Sequence, residues 1–345
     1  MKHILKVTFL LLIFTACKKE ATLSVSPGTL IETNEVKTIS RSECVQLVDS
    51  ADISSIAQYD VRLIEIVYAT EYDGKTIETS GMLFVPVGKD TVHFVTYNHG
   101  TVVPLKLFKM DEATPSLFTG QSVGFGEIRN VGLTWASAGY TVFMPDYVGY
   151  NRTRDKEHPY IYYPELFKSI YHGDLAVKSY IQSQSAYYDN RMFLAGWSQG
   201  GGASLSAHRY FEQNYPGTFT IVASLNLSGP YNFKRFIRSV FENKETANDK
   251  ISIYSWALYS LNKFSELKRA NDRFYSYSVY DQVSAFNPPS TVPADIFNNF
   301  FIKQIVDGSD VAMNSVIERN SMINGWNPQG KIYLYHGDAD DFEIG

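Results

Sequence analysis

The string Gly196-Trp197-Ser198-Gln199-Gly200 has the residue types of a serine nucleophile on a tight turn. It follows the apolar run 191–195 (RMFLA) and precedes a helical run reaching about residue 215. A serine between a strand and a helix must adopt a strained backbone conformation to project its hydroxyl. Side chains at the flanking Gly196 and Gly200 would strike neighbouring backbone, with Trp197 completing the elbow. The following helix points its amide-rich N-terminus at the site, which favours negative charge. Gly201 and Gly202 let that helix approach the sheet closely. The chemistry is acyl transfer, in which Ser198 attacks a carbonyl and water later releases the acid. Two backbone amides must then face the developing oxyanion. One is the N–H of Gln199, directly after the nucleophile. The other must come from the loop after an earlier strand. Asn98-His99-Gly100-Thr101 follows the apolar run 92–97, and the Thr101 amide is the candidate. His99 is expected to shape that turn.

The acid should follow the serine, at the end of a later strand. The run 331–335 (KIYLY) ends in His336-Gly337-Asp338-Ala339-Asp340-Asp341. Asp340 is the expected acid, with Asp338 and Asp341 as fallbacks. The base is harder to find. The chain has seven histidines, His3, His93, His99, His158, His172, His208 and His336, and none follows Asp340. In this arrangement the base comes after the acid, on a loop beyond one more strand. The expectation is a C-terminally truncated copy of a longer enzyme, whose 345 residues alone hydrolyse esters negligibly. The alternatives are a chain that has lost catalysis, and recruitment of His99 or His336 as base.

Taken together, these pieces resemble the α/β-hydrolase superfamily and, within it, the secretory-lipase-like branch. The resemblance rests on Asn98 to Thr101, Pro145-Asp146-Tyr147-Val148-Gly149, His158-Pro159-Tyr160, Gly196 to Gly201, Ser228-Gly229-Pro230-Tyr231, Trp326-Asn327-Pro328, and His336-Gly337 followed by Asp340. They run in the family's order over residues 60–345. The resemblance implies an α/β fold, ester hydrolysis by a Ser–Asp–His triad with Ser198 as nucleophile and Asp340 as acid, and a helical cap over an acyl pocket.

The elements that must position these residues can be read coarsely. Residues 61–87 hold two strand-like runs around Asp73-Gly74, a strong hairpin signal. Strands at 92–97, 140–144, 191–195, 220–225 and 331–335 alternate with helices at 126–138, 164–183 and after Ser198. That rhythm predicts βαβ units and a mostly parallel sheet, with the hairpin antiparallel at its N-terminal side. Residues 230–328 break the rhythm and read as a helical cap. Phe233, Phe236, Ile237, Val240 and Phe241 share one helical face there. Many aromatics fall in this insertion, among them Trp256, Tyr259, Phe264, Phe297, Phe300 and Phe301. They could line an acyl pocket or simply form the cap's own core. The core is expected over 51–229 and 329–345.

Composition bounds the rest. With 345 residues and 44% hydrophobic content, one large globular enzyme domain with an insertion fits. A net charge of −5 argues against nucleic-acid binding by general attraction. Two cysteines can build neither a disulfide scaffold nor a Cys-rich zinc site. His93 and His99 flank a strand without nearby carboxylate spacing, so no metal or cofactor is expected. Residues 1–16 have a basic start and an apolar run too short to span a membrane, and Cys17 stands where that run stops. They read as a lipoprotein signal, with Cys17 the lipidated residue, against the alternative of an ordinary signal peptide. Residues 17–50 read as a polar tether, and Lys18 after the cysteine favours the outer membrane of a cell envelope. Cys44 is expected to be buried and inert. The leading expectation is therefore a membrane-tethered serine esterase or lipase acting on a small-molecule or lipid ester. A peptidase of the same fold, with Glu242 and Glu245 as acids for a substrate amine, is the second. A non-catalytic, ligand-binding lipoprotein is the third.

Overall fold

The computed structural model describes residues 24–49, 52–103 and 113–340. The signal segment, Cys17 and Asp341 lie outside the described residues. The strands are β1 (Leu30–Ile39), β2 (Val61–Tyr72), β3 (Lys75–Pro86), β4 (Phe94–Asn98), β5 (Thr141–Pro145), β6 (Arg191–Trp197), β7 (Thr220–Leu227) and β8 (Lys331–Tyr335). The helices of the core are α1 (Arg41–Leu47), α2 (Ile53–Ile56), α3 (Gly126–Ser137), α4 (Tyr163–Ser183) and α5 (Gln199–Asn214). Those of the insertion are α6 (Phe233–Glu242), α7 (Ile251–Phe264), α8 (Gln282–Phe286), α9 (Pro293–Ile296), α10 (Asn299–Val306) and α11 (Val311–Arg319).

The strands form one sheet in the order β1-β2-β3-β5-β4-β6-β7-β8. Pairing is antiparallel from β1 through β3 to β5 and parallel from there to β8. Asp73 and Gly74 both take positive φ, 46° and 73°, between the paired Tyr72 and Lys75. That is the two-residue hairpin turn whose twist matches the strands. Strand alternation then divides the core between the two faces of the sheet. Ile64, Ile66 and Tyr68 of β2 and Phe143 of β5 join α4 and the insertion on one face. Val61, Leu63, Val142 and Met144 join α1 and α3 on the other.

The segment expected as a tether over 17–50 is structured for most of its described length. Leu30–Ile39 pairs antiparallel with β2, so the sheet begins at Leu30, ahead of the expected core boundary at 51. Arg41–Leu47 follows as a helix with a capping box, in which Ser40 accepts from the Glu43 amide and the Glu43 carboxylate accepts from the Ser40 amide. The physical reason is that β1 is an edge strand. Most of its side chains face water, so its polar sequence hides a backbone paired along the whole strand. Cys44 on α1 is buried, and desolvation pushes its thiol up to about 12, which keeps it protonated and unreactive.

The insertion is helical, and most of its aromatics form its own core. Phe233, Phe236, Phe241, Trp256, Tyr259, Phe297 and Phe301 are buried, whereas Phe300 is 68% exposed. Phe236 stacks on Tyr254 at 4.4 Å, and Phe241 meets Phe297 and Phe301 edge-on. Trp256 stacks on Tyr160 of the core at 3.8 Å, joining the two layers.

Across the sheet, His172 of α4 is buried with Nδ1 2.9 Å from the Thr70 hydroxyl. Desolvation lowers its pKa to about 4, against about 6.5 when unfolded. The native fold therefore excludes the charged ring. The stability this gives is complete above about pH 6.5 and is lost as pH falls through about 4. The melting-temperature gap between wild type and His172→Gln should narrow over that window. A gap independent of pH would contradict it.

Candidate active site

Ser198 sits between β6 and α5 with φ 56° and ψ −121°, a conformation that L-residues avoid. The turn is held from both sides. Its amide donates to Leu227 O of β7 at 2.8 Å, and its carbonyl accepts from the Gly201 and Gly202 amides. The first turn of α5 runs hard against the end of β4. A Cβ at Gly200 would overlap the Asn98 carbonyl, and one at Gly196 would lie 2.6 Å from the same oxygen. The β4–β6 register pairs Asn98 with Gly196, which brings the 99–101 turn beside the serine.

That turn is fixed at several points. Asn98 is buried, and its side chain donates to Ser204 Oγ of α5 at 2.9 Å. Gly100 lies under the half-exposed Trp197, so that an added Cβ would come 2.9 Å from the indole. Its amide is taken by the Glu127 carboxylate, at 3.0 and 3.1 Å to the two oxygens. The Tyr97 hydroxyl donates to the same carboxylate at 2.7 Å. Burial pushes the Glu127 carboxyl up, opposed by those two donors. The Thr101 hydroxyl lies 3.0 Å from the Tyr160 hydroxyl, while among the described residues the Thr101 amide meets no acceptor.

Gln199 is buried at the start of α5, and its side-chain Nε2 is 2.6 Å from His158 Nε2. His158 Nδ1 is 2.7 Å from Val148 O, so Nδ1 carries the proton and Nε2 accepts from Gln199. Desolvation lowers this histidine to about 3 and keeps it neutral. The His158 amide in turn donates to Gln282 Oε1 at 2.9 Å, and the preceding Glu157 carboxylate accepts from Tyr259 and the Gln282 amide. The residue after the nucleophile is thus tied through residues 157–158 to α7 and α8 of the cap.

Asp340 follows β8 at the C-terminal edge of the sheet, with β7 between it and the serine strand. Its Oδ2 is 3.7 Å from His336 Nε2, and His336 Nδ1 is 3.0 Å from Gly337 O. Asp338 is exposed. The remaining described histidines have other neighbours. His99 Nδ1 is 2.8 Å from Gly100 O under the Tyr147 ring, in keeping with a turn-shaping role. His208 holds Ser224 and Glu212, and His93 precedes β4 at the opposite end of the parallel strands.

Other buried carboxylates tie neighbouring segments of the fold together. Asp146 accepts from Ser80 and from both the amide and hydroxyl of Ser116, and Asp174 accepts from Thr96. Glu242 and Glu245 are exposed and paired with Arg238 and Lys244, so they do not form an acidic pocket. Among the described residues, no group of three or more His, Cys, Asp or Glu is arranged to hold a metal ion.

The structure therefore brings Thr101, Trp197, Ser198 and Gln199 together at one edge and sets Asp340 on the same edge. Sequence reasoning missed Glu127, which stands 27 residues from the amide it binds and belongs to no motif. It gave His158 no role, although His158-Pro159-Tyr160 was among the pieces of the resemblance.

No family model matches the chain. No curated protein matches it either. Solved structures do. A rice cell wall degrading esterase, LipA from Xanthomonas oryzae, superposes with a TM-score of 0.72 at 20% identity, covering 91% of this chain and 83% of the other. Lipase A from Candida antarctica superposes with a TM-score of 0.61 at 13% identity, covering 91% of this chain and 71% of the other. With its mixed sheet, flanking helices and helical cap, this chain has the α/β-hydrolase fold of those esterases and lipases.

Proposed function

We propose that the protein is a serine hydrolase of carboxylic esters, an esterase or lipase working through an acyl-enzyme on Ser198. The observation that carries this reading is the strained conformation of Ser198 at the head of α5. Strain of this kind persists only where surrounding structure enforces it, and here it projects a nucleophile. Ser198 Oγ attacks the ester carbonyl. The Gln199 and Thr101 amides stabilise the oxyanion, aided by the N-terminus of α5. Collapse releases the alcohol, and water then frees the acid from Ser198. Asp340 serves as the acid that orients the base. The histidine base is not assigned to a described residue. Residues 1–345 by themselves are accordingly expected to turn over esters negligibly. We also propose that Cys17 is lipidated and holds the protein on a cell-envelope membrane, which labelling with an alkyne fatty acid and its loss in Cys17→Ser would test.

The ester reading is favoured over the peptidase because Glu242 and Glu245, the acids considered for a substrate amine, are exposed and spent on surface ion pairs. Protein purified from its own cells should cleave p-nitrophenyl acyl esters at least a hundredfold faster, in kcat/KM, than the matching aminoacyl anilides. Equal or faster anilide cleavage would favour the peptidase.

A further inference from the structure

We propose that Glu127 is a positioning residue for the oxyanion-binding turn, holding Gly100 so that the Thr101 amide faces the carbonyl oxygen bound at Ser198; this rests on the serine-hydrolase reading above. Three observations carry it. First, the Gly100 amide is buried and donates to both oxygens of the Glu127 carboxylate. Without that acceptor it would be a buried, unpaired donor, and the turn would rotate its peptides to find another partner. Rotation there reorients the next amide, which is that of Thr101. Second, Gly100 is closely packed, because a Cβ added there would come 2.9 Å from the Trp197 ring and 3.2 Å from Glu127 Oε2. Glu127 and Trp197 together therefore restrict the position of the turn at Gly100. Third, Glu127 is itself anchored. It lies in the first turn of α3, where the helix N-terminus favours a carboxylate. Two residues on, Arg129 clamps the entry to that helix through Ser122 O at 2.6 Å and Gly124 O at 3.0 Å. Tyr97 adds a second donor to the same carboxylate.

The competition between Tyr97 and Gly100 for Glu127 supplies the test. A glutamine offers one acceptor oxygen where the carboxylate offers two. In protein purified from its own cells, Glu127→Gln should lower kcat on a short p-nitrophenyl ester about fivefold with KM within twofold, because oxyanion contacts act in the transition state. Adding Tyr97→Phe removes the competing donor and should return kcat to within twofold of wild type. Glu127→Ala should lower kcat at least thirtyfold, again with little change in KM. A double variant slower than Glu127→Gln would show plain structural damage and overturn the proposal. So would an unchanged kcat in Glu127→Ala, or an effect confined to KM. Should Glu127→Ala fail to fold, the Gln and Gln/Phe pair decides alone. Wild-type turnover no higher than that of Ser198→Ala would instead overturn the hydrolase reading, and this one with it.

Discussion

In protein purified from its own cells, Ser198→Ala is expected to abolish covalent labelling by fluorophosphonates and to lower ester turnover by about a millionfold, the scale on which removal of a serine nucleophile acts. The fold should survive, because among the described residues the Ser198 hydroxyl holds none of the contacts that fix the turn. Those run through its amide to Leu227 and its carbonyl to Gly201 and Gly202. A second substitution separates strain from chemistry. Ser198→Gly removes the same hydroxyl and also relieves the penalty of φ 56° and ψ −121°. It should therefore be as inactive as the alanine variant but more stable, by about 1 kcal/mol. Thermal unfolding of the three proteins side by side checks this. A glycine variant less stable than wild type would mean that the serine is not strained.

Gly200→Ala should damage both stability and activity. Its Cβ would collide with the carbonyl of Asn98, a backbone atom that cannot rotate away. Relief requires α5 to lift from β4 or β4 to shift in its register with β6. Overpacking of this kind costs roughly 1–3 kcal/mol, and more where backbone must move. The same shift would separate Gln199 from the 99–101 turn, so kcat should fall by at least a hundredfold in whatever protein remains folded. Gly217→Ala provides the comparison, since nothing lies within 4 Å of its Cβ position. Its φ of 83° still carries a conformational cost, but activity should be kept. Equal activity losses at the two glycines would remove the steric argument.

The parts of the site legible in the sequence were those built from short local segments. The elbow is a single strand–turn–helix unit, and its glycines, serine and flanking apolar run all lie within about a dozen residues. The 98–101 turn was readable for the same reason, and Asp73-Gly74 announced its own hairpin. β4, β5 and most of β6 were legible because both of their faces are buried, and β8 because it is a short apolar run, although most of it is exposed. β1 was not, because as an edge strand its pairing lies in the backbone and leaves little trace in side-chain type. Its neighbour α1 carried a readable signal in Ser40 and Glu43, the capping box, which went unused. Glu127 and Gln282 were illegible for a different reason. Each acts on a residue from another segment, Gly100 and His158, and only the tertiary arrangement makes the pair. The aromatics of residues 230–328 were ambiguous between pocket and core, and packing assigns most of them to the core.

Fluorophosphonate labelling of the protein in its own cells, read by peptide mass, asks directly whether Ser198 is an activated nucleophile. A phosphonyl adduct is expected on Ser198, absent from Ser198→Ala and blocked by prior acylation with a slowly hydrolysed ester. A folded protein that takes up no label, or takes it up equally in Ser198→Ala, would contradict it.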